Sequence, residues 1–226
     1  MPTVEPLDRN AVLGRVLIAL SENCERLREA CYWAGASAMS LEELHHRGSF
    51  DLDFHTRKAL LDVRPILAEI QRAFPGSFEL ISVPDEFGSG FKGVLRLPEM
   101  EGVTVEVLSN YEDVPARYLV RSRIAPRMWR ITAQRFLADK IQCIAERSEA
   151  RDLVDIAAVL RYHPQLTDEA RQIVRSQDAL ILIERLVAWT VASMREDLAA
   201  YQDVDAGDAL QARDLLLGWL REGSKP

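Results

Sequence analysis

No run of eighteen apolar residues occurs anywhere in the 226-residue chain, so nothing in it reads as a membrane-spanning helix. The opening MPTVEPLDRNAVLGRVLIAL lacks the basic start and unbroken apolar block of a secretory signal. The chain therefore reads as soluble and cytoplasmic, with no membrane partner. Cysteine is scarce. Cys24, Cys31 and Cys143 are odd in number and lack C-x-x-C spacing, which fits buried thiols in a reducing compartment rather than a disulfide scaffold. Internal repeats and low-complexity segments are missing too. Basic charge is in deficit, with 28 Lys and Arg against 35 Asp and Glu and a net charge of −7. That balance argues against a protein that coats nucleic acid non-specifically, because such affinity comes from cations replacing counterions on phosphates. Acid is in turn absent locally. Residues 114–138 contain no Asp or Glu but hold Arg117, Arg121, Arg123, Arg127, Arg130 and Arg135.

What is present is ordinary globular composition, 48% hydrophobic and 28% charged, enough for one sizeable domain or two small ones. Over 7–30, Val12, Leu13, Val16, Leu17, Leu20, Cys24 and Leu27 recur at three- and four-residue steps, which predicts an amphipathic helix. An apolar stretch, CYWAGASAM, breaks at Gly35. Ser40 and Glu43 match a capping-box pattern and predict a helical segment over 38–46. A strand is expected over 49–54. The segment RKALLDVRPILAEIQRAF has helical period, with Pro65 marking a kink or a first turn. Strand-like runs follow at 78–84, 91–98 and 103–110. Beyond Pro126 helices are expected to the end, at about 131–146, 149–161, 167–174, 178–201 and 206–222. The expected fold class is α+β, a small mixed sheet flanked by helices and followed by a C-terminal helical bundle, divided into 1–115 and 116–226.

The chemistry-bearing residues concentrate in HHRGSFDLDF. Side chains alternate across a strand, so Ser49, Asp51 and Asp53 would share one face and Phe50, Leu52 and Phe54 the other. The two carboxylates would stand about 7 Å apart at Cα. Their repulsion is relieved by a divalent cation, and Mg²⁺ favours one or two carboxylates plus substrate phosphate oxygens; the plain alternative is a solvated strand face. Upstream, Gly35-Ala36-Ser37 is either a phosphate-holding turn or a helix cap. Downstream, Glu106 in VTVEVLSN is either a third carboxylate approaching from a neighbouring strand or an exposed strand glutamate. Lys140, Arg147, Arg151 and Asp155 follow at steps of seven, four and four, one face if the helix is continuous. Ser148 would instead cap a new helix if it breaks. A cleft-facing Lys140 and Asp155 and a salt-bridged helical surface both fit.

These motifs together, GASAM, HHRGSFDLDF, a helical Lys140 and RDLVDIAAVL, resemble the AbiEii/MenT-type nucleotidyltransferase toxin family within the DNA polymerase β-like nucleotidyltransferase superfamily. The family pattern has a G-G/S-T/S turn, then H-R-x-S-x-D-x-D-F, then a lysine followed by R-D-x-x-D. His46, Arg47, Ser49, Asp51, Asp53 and Phe54 match the second element in full, and Arg151, Asp152 and Asp155 match the last. The departure is GAS in place of G-G-T. The resemblance implies a nucleotidyltransferase-like core in which Asp51 and Asp53 hold Mg²⁺ or Mn²⁺ and the triphosphate, Glu106 is a third metal carboxylate, and Gly35, Ser37, Arg47, Ser49, Lys140 and Arg151 bind the nucleotide. Asp51, Asp53, Lys140 and Asp155 would be catalytic, with the helical part contributing Lys140 and Asp155 to the cleft.

The implied activity is metal-dependent transfer of NMP from an NTP to an RNA, tRNA foremost, or to a protein, as the toxin of a type IV-like toxin–antitoxin or phage-defence pair with a cognate antitoxin. The 117–135 arginines, with Tyr118 and Trp129 interleaved, are a candidate RNA track. Two alternatives stand beside it: a catalytically silent nucleotide-binding module and an antibiotic-modifying nucleotidyltransferase.

Overall fold

In the computed structural model, which describes residues 8–147, 149–201 and 204–223, two compact units part between Thr132 and Ala133. The first is built on a mixed seven-stranded sheet. Its helices are α1 (Arg9–Asn23), α2 (Glu25–Ala30), α3 (Gly35–Met39) and α4 (Arg64–Ala73). Its strands are β1 (Cys31–Ala34), β2 (Asp51–Ala59), β3 (Phe78–Ser82), β4 (Gly90–Leu95), β5 (Val103–Asn110), β6 (Leu119–Arg121) and β7 (Trp129–Ile131). They lie in the order β3-β4-β5-β2-β1-β7-β6, with β2 parallel to β5 and β1 parallel to β7.

Period-two patterning fixes which face is core. Leu52, Phe54 and Thr56 of β2, Val103, Val105 and Val107 of β5, and Phe91 and Leu95 of β4 are buried. The apolar stripe of α1, Val12, Leu13, Val16, Leu17 and Leu20, is buried with them, and α1 packs on β2 and β5. Each large apolar side chain removed from water on this face contributes about 1.5–3 kcal/mol. The residues between them, Asp51, Asp53 and His55 on β2 and Thr104 and Glu106 on β5, are half-buried on the opposite face.

Several elements differ from their sequence patterns. The helix expected over 7–30 is two, because Cys24 is extended (φ −119°, ψ 92°); its side chain and that of Leu27 still face the core, which is why the period runs through. CYWA is a fully buried strand, paired with β2 on one side and β7 on the other. Strand β2 runs to Ala59, and α4 starts only at Arg64, with Pro65 in its first turn, where a missing N–H costs nothing. Phe50 precedes the strand and is exposed beneath the Arg9 guanidinium. Beyond Pro126 the chain is not yet helical: β7 lies there and joins β6 in the sheet.

The second unit is helical: α5 (Ala133–Glu146), α6 (Ala150–Tyr162), α7 (Thr167–Ser176), α8 (Ala179–Ala188), α9 (Val191–Leu198) and α10 (Ala206–Gly223). Phe136, Ile141, Ile144, Leu153, Ile156, Val159, Leu216 and Trp219 form its core, with α10 against α6 and α7. The helix expected over 178–201 is interrupted because Thr190 and Ser193 cap a new one, the Ser193 N–H donating to Thr190 Oγ1 at 3.1 Å and the Thr190 N–H to Ser193 Oγ at 2.9 Å. The capping role considered for Ser148 lies outside the described residues. Among the described residues no helix is long and apolar enough to cross a membrane.

Candidate active site

Strand register brings the carboxylates together. Asp53 of β2 is paired with Glu106 of β5, and Asp51 with Thr104. On the other side Ala34, the last residue of β1, is paired with Asp53. The chain then turns at Gly35, whose φ of +69° favours glycine. A Cβ on Gly35 would fall 2.0 Å from Asp53 Oδ2, so the turn and the carboxylate occupy one space that only glycine leaves open. Gly35→Ala is accordingly expected to lower the unfolding free energy by about 1–3 kcal/mol in urea titration and to push the Asp53 carboxylate off its position; a wild-type midpoint would contradict that close approach.

Around this pair the loop before β2 is tightly held. His45 is left-handed (φ 47°) and ends a π-helical turn over Ser40–Leu44. Ser40 Oγ donates to the Arg47 carbonyl instead of capping a helix, and Glu43 accepts from Arg130 at 2.8 Å. The capping box is thus replaced by tertiary partners. Arg47 is buried, its Nη1 donating to the Gly48 carbonyl at 3.1 Å. Ser49, also buried, donates to Asp51 Oδ1 at 3.2 Å and orients that carboxylate. Ser37 is fully buried, its Oγ accepting the Trp33 indole N–H at 3.0 Å.

Asp51, Asp53 and Glu106 offer carboxylate oxygens on this face, donors suited to a hard divalent cation. Among the described residues no group of three or more His, Cys, Asp or Glu forms a ready-made cage. A pair of carboxylates that leaves other positions to substrate oxygens is what Mg²⁺ uses, and the half-buried Asp51 and Asp53 fit it. Burial pushes the thiols up, Cys24 and Cys31 to about 12 and Cys143 to about 11, which keeps them protonated at neutral pH.

In the helical unit the expected single face is two helices brought into contact. Lys140 of α5 lies 2.7 Å from Asp152 Oδ1 and 2.8 Å from Asp155 Oδ2 of α6, both carboxylates fully buried. Arg147 reaches the same Asp152 with Nε at 3.0 Å and Nη2 at 3.0 Å, so two cations face two anions. Burial opposes the charge on Arg147, but the Asp152 hydrogen bonds outweigh it and raise its pKa. Arg151 turns aside to Glu149 and the Tyr201 hydroxyl. Asp152 is visible in R-D-x-x-D, yet nothing in the motif says that it shares the lysine with Asp155.

The arginine stretch has two fates. Arg130 is buried and donates from Nε to Glu42 at 2.9 Å. Glu42, whose side chain is wholly buried, also accepts the Arg123 and Ile124 backbone N–H groups and the Ser122 hydroxyl. Arg135 pairs with Asp139 at 2.7 Å within α5. Arg117, Arg121, Arg123 and Arg127 are exposed, Arg121 stacking over Trp129 at 4.0 Å and Arg117 over Tyr118 at 4.7 Å.

Burial alone would raise the Glu42 pKa, but those backbone and hydroxyl hydrogen bonds and Arg130 hold it below the ordinary carboxylate value. A depressed folded pKa contributes stability that is present above the unfolded value and lost as pH falls through the folded one. Glu42→Gln is therefore expected to flatten the acid limb of the Tm profile as pH falls below the ordinary carboxylate range, a change absent if Glu42 were a solvated charge.

Two further residues on the face escaped sequence reasoning. Lys92 of β4 is paired with Glu106, its Nζ 3.7 Å from Glu106 Oε2. His55, two residues beyond Asp53, has Nδ1 3.3 Å from Asn110 Oδ1. Alternation in FKGVLRLP places Lys92 opposite Phe91, but the strand order that carries it to Glu106 is not a local property.

A family model described as nucleotidyl transferase AbiEii toxin, type IV toxin–antitoxin system, matches residues 18–213. No curated protein matches the sequence. Among solved structures, a candidate nucleotidyltransferase of H. pylori has a TM-score of 0.58 at 17% identity, covering 97% of this chain and 100% of that one. MenT4, a nucleotidyltransferase toxin of Mycobacterium tuberculosis, has a TM-score of 0.58 at 15% identity, covering 94% of this chain and 82% of that one. At such identities the likeness is one of fold.

Proposed function

The chain belongs to the AbiEii family of nucleotidyltransferase toxins, and on that premise we propose that it moves NMP from an NTP to a hydroxyl of an RNA, tRNA foremost, with a divalent cation held by Asp51 and Asp53. Membership carries with it a nucleotide substrate and an antitoxin partner. The observation that carries the metal and triphosphate part is the half-buried face on which Asp51 and Asp53 stand, closed against Gly35 and flanked by Glu106.

In the reaction the acceptor oxygen bonds to the α-phosphorus, the bond to the bridging oxygen of the β-phosphate breaks, pyrophosphate leaves and the hydroxyl proton is released. Mg²⁺ or Mn²⁺, when bound, supplies charge neutralisation for the triphosphate. The protein's share is positioning and electrostatics. Ser49 fixes one Asp51 oxygen, Gly35 leaves room for the Asp53 carboxylate, and Ser37 and Arg47 shape the loops on either side. In the helical unit Asp155 and Asp152 hold the Lys140 ammonium in place; for Lys140 and Arg151 a role toward the nucleotide is what the family resemblance implies.

The RNA acceptor is supported by Arg117, Arg121, Arg123 and Arg127, four exposed cations beside two aromatic rings in a chain that is otherwise acidic. Incubation with each labelled NTP, Mg²⁺ or Mn²⁺, and total tRNA or total protein tests the acceptor. Nuclease-sensitive, protease-resistant label is expected; label carried only on protein would replace RNA as the acceptor, and label only on small molecules would favour the drug-modifying alternative.

A further inference from the structure

Three side chains stand in one row across three neighbouring strands: Asp53 on β2, Glu106 on β5 and Lys92 on β4, each directly paired with the next. Paired residues on one face lie about 4.5–5.5 Å apart at Cβ, and like charges so placed destabilise one another. Glu106 has such a like charge on one side and the Lys92 ammonium, 3.7 Å from its Oε2, on the other. Both partners of that ion pair are partly exposed, at 40% and 31% of the side chain, so the pair faces the same open side of the sheet as Asp53. Nothing in the core requires a lysine there. Its neighbours on β4, Phe91 and Gly93, are buried on the opposite face, where Gly93 meets the Phe78 ring.

Resting on the assignment of a cation to Asp51 and Asp53, we infer that Lys92 neutralises Glu106 in place of a second divalent ion, so that this face takes one metal ion rather than two. A third carboxylate beside a metal-binding pair would ordinarily complete a second cation site. The Lys92 ammonium instead supplies a positive charge beside Glu106, and no three-acid cage forms among the described residues. Lys92 is thus a positioning residue that acts through Glu106. Its removal is expected to turn Glu106 into a metal ligand.

Titration of the full chain with Mn²⁺ alone, followed by electron paramagnetic resonance of the unbound ion, reads the stoichiometry without any turnover. One ion is expected for the wild type and for Lys92→Arg, two for Lys92→Met, and one again for the double variant Lys92→Met/Glu106→Gln. A wild-type stoichiometry of two, or a Lys92→Met variant that stays at one, overturns the inference. Asp53→Asn separates it from the assignment beneath it. Loss of the wild-type ion in that variant upholds the Asp51 and Asp53 site, whereas an ion that persists, or no ion bound to the wild type, overturns the site itself.

Discussion

Asp53→Asn is expected to lower the rate of NMP transfer by at least about 10²–10³-fold, the scale of losing one preorganised electrostatic group from a transfer site, while the fold is kept. The substitution is nearly isosteric, so the close approach to Gly35 is preserved. What disappears is one negative charge on a face that also carries Asp51 and, at the paired position on β5, Glu106. Like charges so placed repel, so the thermal midpoint should hold or rise by about a few degrees, as is common when a strained functional charge is removed. Initial rates and melting curves of the same preparation check both halves. A variant that transfers at the wild-type rate would remove Asp53 from the chemistry, and a collapsed midpoint would make it a structural residue instead.

Lys140→Met carries the largest expected loss of stability, about 3–5 kcal/mol, the usual consequence of removing one partner from a buried ion pair. Asp152 and Asp155 are both fully buried and both within 2.8 Å of the lysine. Arg147 remains to neutralise Asp152, so the cost falls chiefly on Asp155 and should sit toward the lower end of that range. Urea unfolding of Lys140→Met, Asp155→Asn and the double variant measures the coupling. Replacing both partners is expected to recover a large part of the loss, because the uncompensated charge is gone. Additive losses would mean that Lys140 and Asp155 do not sense each other. Activity of the double variant then tests the Lys140–Asp155 pair as a unit: a stable protein that no longer transfers NMP supports a catalytic role for the pair.

How much of this was legible beforehand depends on whether the determining interaction is local. The alternation in DLDF is local, and it placed Leu52 and Phe54 inward and Asp51 and Asp53 on the other face. The strand period of VTVEVLSN likewise gave β5 its bounds and Glu106 its face. Phe50 was misplaced because an alternating pattern does not say where a strand starts. Ser40 and Glu43 looked like a capping box, yet their partners are Arg47 and Arg130, the latter 87 residues from Glu43. The Glu42–Arg130 pair, 88 residues apart, has no sequence signature at all. The arginine stretch, which composition treats as uniform, thus divides into one buried structural cation, Arg130, one half-buried cation paired within α5, Arg135, and four exposed ones. Strand order is similarly non-local: β6 and β7 are only three residues each, too short for a period, and Lys92 reaches Glu106 only through the pairing of β4 with β5.

The central claim is that the α-phosphoryl group, with its nucleoside, is what moves. Parallel reactions with α-labelled and γ-labelled NTP, with Asp53→Asn as the control, test it most directly. Label from the α-phosphate is expected in the macromolecular acceptor and label from the γ-phosphate in released pyrophosphate, with neither in the control. Incorporation of the γ-label, or no incorporation of either label with any NTP and Mg²⁺ or Mn²⁺, would contradict it.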